Sequence, residues 1–538
     1  MSRREAGPHG TAATGDILTG ARAGAGCVAG AAPSFVLFGA LAVGVWARLR
    51  AFLADTSLWH DEAAVALNII ERSLGELAQP LSYDQAAPLG FLLAEKLVVL
   101  TFGPGEQALR LLPMLAGIAS LPLTYFVARR LLGRGQALVA LTLLALCAPA
   151  IVYSTEVKQY GVDLFVALVL LALAVEWDAA RSKVAWACAI GLAGAAAVWL
   201  SHPSVFVLAA VGAVALADAR RDHDWRRSAT IAVVGSLWIA SFATNYFAVT
   251  VHVAHDPDLL EFWRGRFMPF PPASFADLAW LYQKTLQLFK HPVGLKDMPG
   301  LGIALALTGV AVLARGRASL AVLFVLPVVL ALAASALHKY PFEGRFLMFA
   351  LPGLLFLVAE GAWYVLRRSA ALTRIGPVVV VALLVAGPLL LYQQQSRWPS
   401  EQEDLRAALA GLAENWTEGD RLLVYRRSEP AYRYYQEIRP DLWDRSLPAP
   451  TATFDRVDDV LKPGSREIDE PEQRVWLVFS RVGASRYPGA NSEGAVLAAM
   501  DRDGERLHEF RAAGAAVHLY EIVRPDSPLA VTGGDSGR

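Results

Sequence analysis

The chain has 538 residues, of which 55% are hydrophobic and 18% charged, with a mean hydropathy of +0.39. A composition this apolar excludes a string of soluble domains, a disordered chain, a coiled coil and a disulfide scaffold. Lys plus Arg equal Asp plus Glu at 49 each, so no global basicity points to nucleic acid. Cys27, Cys147 and Cys188 lie in the tail or in apolar spans, which gives neither a disulfide framework nor metal-ligand spacing.

The first 33 residues are polar and Gly/Ala-rich, carry Arg3, Arg4 and Arg22, and read as an uncleaved, disordered cytoplasmic tail. A membrane helix needs about 20 mostly apolar residues. By that rule, spans run near 34–53, 108–127, 137–152, 161–176, 184–200, 203–218, 228–250, 298–314, 319–337, 346–366 and 375–392, eleven in all. Residues 401–525 change composition. An amphipathic Glu403–Trp416, strand-like Arg421–Arg426, a helix opened by Pro430, strand-like Arg474–Ser480 and Val517–Val523 predict a small α/β domain, bounded here as 393–525. A disordered tail, 526–538, follows, and Asn415-Trp-Thr forms a sequon on a predicted helix. There is no internal repeat.

Basic residues in short loops set the orientation. Arg129/Arg130/Arg134, Arg181/Lys183, Arg220/Arg221/Arg226/Arg227, Arg315/Arg317 and Arg367/Arg368/Arg374 fall on alternate loops when the N-terminus is inside. The scheme requires Ala87–Phe102, which carries Glu95 and Lys96, to be a helix in the outer interface rather than a span. Arg48 and Arg50, at the outer end of the first span, dissent; they snorkel or serve an anionic ligand. The outward pieces are then 54–107, 153–160, 201–204, 251–297, 338–345 and everything after about 393.

The first outward piece opens Ser57-Leu58-Trp59-His60-Asp61-Glu62-Ala63, which sets adjacent carboxylates at the water–lipid boundary. Asp61 or Ser57 alone could simply cap the following helix, but two neighbouring carboxylates cannot both cap it. Tyr153–Tyr160 packs Glu156, Lys158, Gln159 and Tyr160 between two spans, where they must be solvated or paired unless the piece is only a polar turn. His338–Arg345 brings Lys339 and Arg345 to the start of a span, and Arg110 stands at the start of another. A guanidinium there can reach a lipid phosphate or merely anchor the interface. His202, beside Pro203, reads as a helix cap. The aromatics of loop 251–297 (Phe262, Trp263, Phe267, Trp280, Tyr282, Phe289) read as an interfacial belt that can also shape an entrance.

Carboxylates early in the chain and cations at several outer helix ends suit transfer between a hydroxyl acceptor and a phosphate-linked leaving group. A carboxylate can serve as general base. Phosphate, with a second pKa of about 6, needs positive charge rather than a general acid.

LWHDEA (58–63), AAPLGFLL (86–93), ALRLLP (108–113), YSTEVKQYGVD (153–163) and YPFEGRFLMFALP (340–352) together resemble the polytopic GT-C glycosyltransferases over residues 34–392. The nearer likeness is to the family-39-like group of protein O-mannosyltransferases, aminoarabinose transferases and galacturonosyltransferases. The resemblance implies an inverting transferase that uses a polyprenyl-phosphate sugar, with a lipid, glycan or protein as acceptor. It implies Asp61 as catalytic base with Glu62 its companion. Glu156, with Asp84 and His60, would meet acceptor or metal. Lys158, Arg110, Arg345, Lys339, Tyr160 and Gln159 would bind the donor phosphate. Many relatives have His-Pro-Pro or Lys-Pro-Pro before the interfacial helix. Here Gln85-Ala86-Ala87-Pro88 stands there, which leaves the need for a divalent metal ion open.

The expected protein is therefore a polytopic α-helical, GT-C-type enzyme of a bacterial inner membrane, with its site and C-terminal domain outside the cytoplasm. A lipid-linked sugar flippase and a non-catalytic scaffold are the alternatives. The concentration of polar groups at one face and the lack of a repeat speak against the first, and a scaffold has no use for Asp61.

Overall fold

The computed structural model describes residues 32–177, 180–251, 257–372, 403–454, 472–480 and 493–523. The expected tails, and the eleventh expected span at 375–392, lie outside the described residues. Helix α1 (Ala32–Leu53) is followed by α2 (His60–Glu71) and α3 (Leu89–Phe102). Then come α4 (Leu111–Leu131), α5 (Arg134–Leu146), α6 (Tyr160–Glu176), α7 (Lys183–Leu200), α8 (Ser204–Arg221) and α9 (Trp225–Asn245). The helical part ends with α10 (Phe275–Lys290), α11 (Pro299–Gly316), α12 (Ala318–Ala336) and α13 (Leu351–Leu372).

Among the described residues, seven helices are long and apolar enough to cross a membrane: those over Ser34–Leu53, Leu111–Leu131, Lys183–Leu200, Trp225–Val249, Pro299–Gly316, Ala318–Ala336 and Gly344–Ala370. They expose large apolar side chains such as Phe35, Phe38, Val233 and Ile239, the surface expected of helices solvated by lipid. The 17-residue α6 falls just short in length. Helix α3 has 14 residues, about 21 Å of helix against the ~30 Å of a hydrocarbon core, too short to span.

The expected span 137–152 is broken. α5 ends at Leu146, Cys147 is extended, and a short helix resumes at Ala148–Val152. Pro149 explains the break, because it has no N–H to give the Ala145 carbonyl and its ring would clash there in a continuous helix, whereas proline fits the first turn of a new one. Arg48 reaches the break: its Nη2 donates to the Leu144 carbonyl (3.3 Å), which also accepts the Cys147 N–H, and its Nη1 donates to Gly44 of its own helix (3.0 Å). This corrects the expectation that it snorkels or serves a ligand, since Arg48 is fully buried. Arg50 is exposed and lies over the Trp46 ring. Helices α11 and α13 approach backbone to backbone. A methyl group at Gly309 would strike the Leu357 carbonyl, and one at Gly361 the Leu305 carbonyl, so small residues set this contact.

The C-terminal domain has helix α14 (Leu405–Asn415), strands β1 (Arg421–Tyr425), β2 (Ala452–Phe454) and β3 (Glu472–Ser480), helix α15 (Glu493–Asp503), and strands β4 (Gly504–Ala512) and β5 (Ala515–Val523). The sheet order is β2-β1-β3-β5-β4, parallel at β2/β1/β3 and antiparallel at β3/β5/β4. Leu422, Val424, Trp476 and Val478 share a core with α14, whereas Leu423, Val475 and Leu477 pack with Val496 and Met500 of α15. A helix on each face makes both sides of β3 apolar, which is why RVWLVFS reads as a continuous run. β2, β4 and α15 have no counterpart in the expected elements. The domain sits on segment 55–110: Tyr432, Tyr434 and Tyr435 are fully buried in the same core as Leu58, and Arg433 pairs with Glu71 at 3.1 Å.

Candidate active site

Helix α2 begins at His60 with Trp59 as its N-cap, so neither Ser57 nor Asp61 caps it. That places Asp61 and Glu62 in its first turn, where the helix dipole favours carboxylates. Their roles then diverge. Glu62 is buried and forms a two-point ion pair with Arg110, Oε2 to Nη2 at 2.7 Å and Oε1 to Nε at 3.1 Å. Its Oε1 also accepts the Val157 N–H at 2.8 Å. Arg110 spends its other donors on the Thr56 carbonyl and hydroxyl and the Ser57 carbonyl. Arg110 is therefore occupied inside the protein, contrary to the expectation that it faces a phosphate. The pair instead staples the first loop, the start of α4 and loop 153–160 together.

Asp61 points the other way and meets Arg345 at 3.0 Å, with side-chain exposures of 18% and 25%. Arg345 lies over Tyr160 (5.5 Å), Phe346 (5.6 Å) and Trp263 (6.0 Å), so three rings hold the guanidinium. Among the described residues Asp61 is its one ion-pair partner, leaving most of its fork unspent. Burial would raise the Asp61 carboxyl, but Lys158, Arg345 and His60 outweigh it and hold it down at about 2.

Lys158 is buried, and its Nζ donates to Gln85 Oε1 at 2.7 Å. Burial lowers its ammonium to about 8 against the pull of Asp61. Thus a cation from loop 153–160 stands against Gln85. Glu156 is buried with Oε2 unpartnered. Burial, reinforced by the nearby Glu62 charge, pushes its carboxyl well above the usual range and so favours its protonated form. Tyr160 is buried beneath Arg345, and Gln159 is buried with its side-chain oxygen unpartnered.

The structure therefore gathers Asp61, Glu156, Lys158, Tyr160 and Arg345 in one charged cleft, with Glu62 and Arg110 behind it. Lys339 is exposed in the turn after α12, and Asp84 is exposed in a turn at positive φ beside Gln85. Among the described residues no three His, Cys, Asp or Glu side chains converge as a metal-binding group, so the set Glu156, Asp84 and His60 does not assemble one. His202 does not cap α8, whose N-cap is Pro203; it is half-buried, with Nε2 enclosed and unpartnered.

Other neighbours carried no sequence signal. Tyr153 Oη and His291 Nε2 meet at 3.0 Å, and burial lowers His291 to about 4. Glu343 is bridged by Arg266 (2.8 Å) and Lys284 (3.4 Å), which ties the aromatic loop to the Arg345 segment. Of that loop's aromatics, Phe267 and Phe289 are buried and Trp263 packs at the cleft, whereas Phe262 and Tyr282 remain exposed.

Residues 85–247 match the family described as dolichyl-phosphate-mannose-protein mannosyltransferase. No curated protein matches the sequence as a whole. Among solved structures, the chain is similar to ArnT from Cupriavidus metallidurans in the apo state, with 16% identity, a TM-score of 0.50, and coverage of 91% of this chain and 98% of that one. ArnT bound to undecaprenyl phosphate is similar at 15% identity, TM-score 0.50, covering 90% and 97%. The Archaeoglobus fulgidus oligosaccharyltransferase in complex with Zn and sulfate is similar at 12% identity, TM-score 0.52, covering 89% and 73%. Together with the seven apolar helices, these likenesses identify the chain as a multi-pass membrane protein of the GT-C glycosyltransferase fold.

Proposed function

We propose that this protein is a membrane glycosyltransferase that moves a sugar from a polyprenyl-phosphate donor to a hydroxyl acceptor, with inversion and with Asp61 as general base. The observation that carries the reading is the convergence of one accessible carboxylate with Arg345 and Lys158 at the end of the helix bundle. The likeness to ArnT bound to undecaprenyl phosphate supports a lipid-linked donor. The eleven-span topology, with the N-terminus inside and the cleft outside the cytoplasm, is part of the same reading.

Arg345 and Lys158 hold the donor phosphate, the first as a fork and the second as a point charge. Lys158 supplies the cation that the Gln85-Ala86-Ala87-Pro88 stretch lacks. Proton-bearing Glu156 donates a hydrogen bond to an oxygen of the donor or acceptor. Asp61 accepts the acceptor hydroxyl's proton as that oxygen attacks the anomeric carbon from the face opposite the phosphate. The C–O bond to phosphate breaks, and the phosphate leaves with the electron pair, its charge held by the two cations. Before the donor binds, the same cations make Asp61 a weak base. The arriving phosphodiester, a monoanion, offsets part of their field and raises its basicity, so donor binding readies the base.

The test is binding of undecaprenyl phosphate to the detergent-solubilised protein. Arg345→Ala and Lys158→Ala each weaken it by about tenfold or more, the scale of one charge-assisted contact. Binding unchanged in both variants contradicts the phosphate assignment.

A further inference from the structure

At the start of α2 the indole of Trp59 offers no acceptor, and the local cap is Glu62 Oε2, which accepts the Trp59 N–H at 3.4 Å. The N–H groups on either side of Trp59 are satisfied from the C-terminal domain, more than three hundred residues away in sequence. The Leu58 N–H donates to Tyr435 Oη at 2.9 Å, and the His60 N–H to Glu403 Oε2 at 2.9 Å. Ser57 Oγ donates to Asp404 Oδ1 at 2.5 Å, and Arg406 reaches Asp55 Oδ2 at 3.2 Å and Glu106 Oε1 at 3.3 Å. Arg439 closes on Glu106 from the same domain. The segment 55–60, which aims Asp61, is thus held by the extramembrane domain at Asp55, Ser57, Leu58 and His60, while Arg110 and Glu62 hold Thr56 and Trp59 between them.

We infer that the C-terminal domain is a working part of the catalytic cleft, with Tyr435 and Glu403 as positioning residues that fix the first turn of α2 and so the direction of Asp61. Neither touches the cleft; they act through the backbone of Leu58 and His60. The separation of tasks follows from the geometry. Phosphate-holding cations come from loop 153–160 and the start of the last described membrane helix, whereas only the base sits on the clamped segment. Loosening the clamp lets the first turn fray and swings Asp61 away from the acceptor, while Arg345 and Lys158 keep their supports.

The inference rests on Asp61 being the base, and one set of variants separates the two. Cells lacking the protein are complemented with each variant at matched level, and the initial rate at which the missing envelope sugar reappears is read by mass spectrometry. Undecaprenyl phosphate binding is measured on the same purified full-length proteins. Tyr435→Phe and Glu403→Ala each slow transfer by about tenfold or more, as expected when a reacting group is displaced by a fraction of an ångström. Binding stays at the wild-type value. Glu403→Gln, which still presents an acceptor oxygen, recovers most of the rate. Arg433→Ala, which loosens the same interface at Glu71 and Tyr83 but not at 55–60, leaves the rate unchanged. Wild-type rates in Tyr435→Phe and Glu403→Ala overturn the inference, as does a parallel fall of rate and lipid binding, or an equal loss in Arg433→Ala. An active Asp61→Asn protein overturns the base assignment itself.

Discussion

Asp61 and Glu62 are neighbours in sequence, each paired with an arginine, yet they occupy different physical worlds. The Glu62–Arg110 pair has side-chain exposures of 1% and 5%, is bound at two points and is saturated by further backbone contacts. The Asp61–Arg345 pair is held by one contact in a partly open cleft, with exposures of 18% and 25%. A pair with every donor spent can only hold structure. A pair with donors to spare can exchange partners, and an incoming phosphate is the partner that the cleft's charge favours.

Breaking the buried pair has the largest effect. Glu62→Ala strands the Arg110 guanidinium and the Val157 N–H, and costs about 3–5 kcal/mol of stability. Thermal melts in detergent show it as loss of folded protein. Breaking the open pair does the reverse: Arg345→Ala changes stability by no more than about 1 kcal/mol, the range of accessible ion pairs. It lowers transfer by about a hundredfold or more, the scale seen when one donor to a developing anion is removed. If Arg345→Ala unfolds the protein and Glu62→Ala does not, the comparison is upside down.

Lys158 sharpens it through pH. Burial depresses its ammonium to about 8, so its positive charge is present below that pH and lost as pH rises through it. Donor kcat/KM therefore falls above about pH 8, and Lys158→Arg, with its much higher pKa, removes that fall. A limb that survives in Lys158→Arg belongs to another group. The smallest effect is at Lys339, which is exposed beyond the cleft: Lys339→Ala leaves transfer within about twofold of wild type, measured in the same assay.

Much of this was readable in the chain because the signals are local. Long apolar runs mark the helices, and the composition change after them marks the C-terminal domain. HDEA after one apolar run and EVKQY between two others mark Asp61, Glu156 and Lys158 by polarity alone. What was not readable is pairing across distance. Nothing in ALRLLP says that Arg110 turns inward to a carboxylate 48 residues earlier, nor that Tyr435 accepts from Leu58 across 377 residues. The break at Cys147 has its cue in Pro149, but the second donor that Arg48 brings to the Leu144 carbonyl depends on α1 packing beside α5. β4, GERLHEFRA, alternates weakly because it is an edge strand with a largely solvated face.

The most direct measurement is mass spectrometry of envelope glycans and glycolipids from cells lacking the protein, beside the same cells carrying wild type or Asp61→Asn. The account predicts a sugar that disappears with the protein, returns with wild type, and stays absent with Asp61→Asn although that variant is folded and still binds undecaprenyl phosphate. A sugar restored equally by both would contradict it and leave transport or scaffolding as the protein's task.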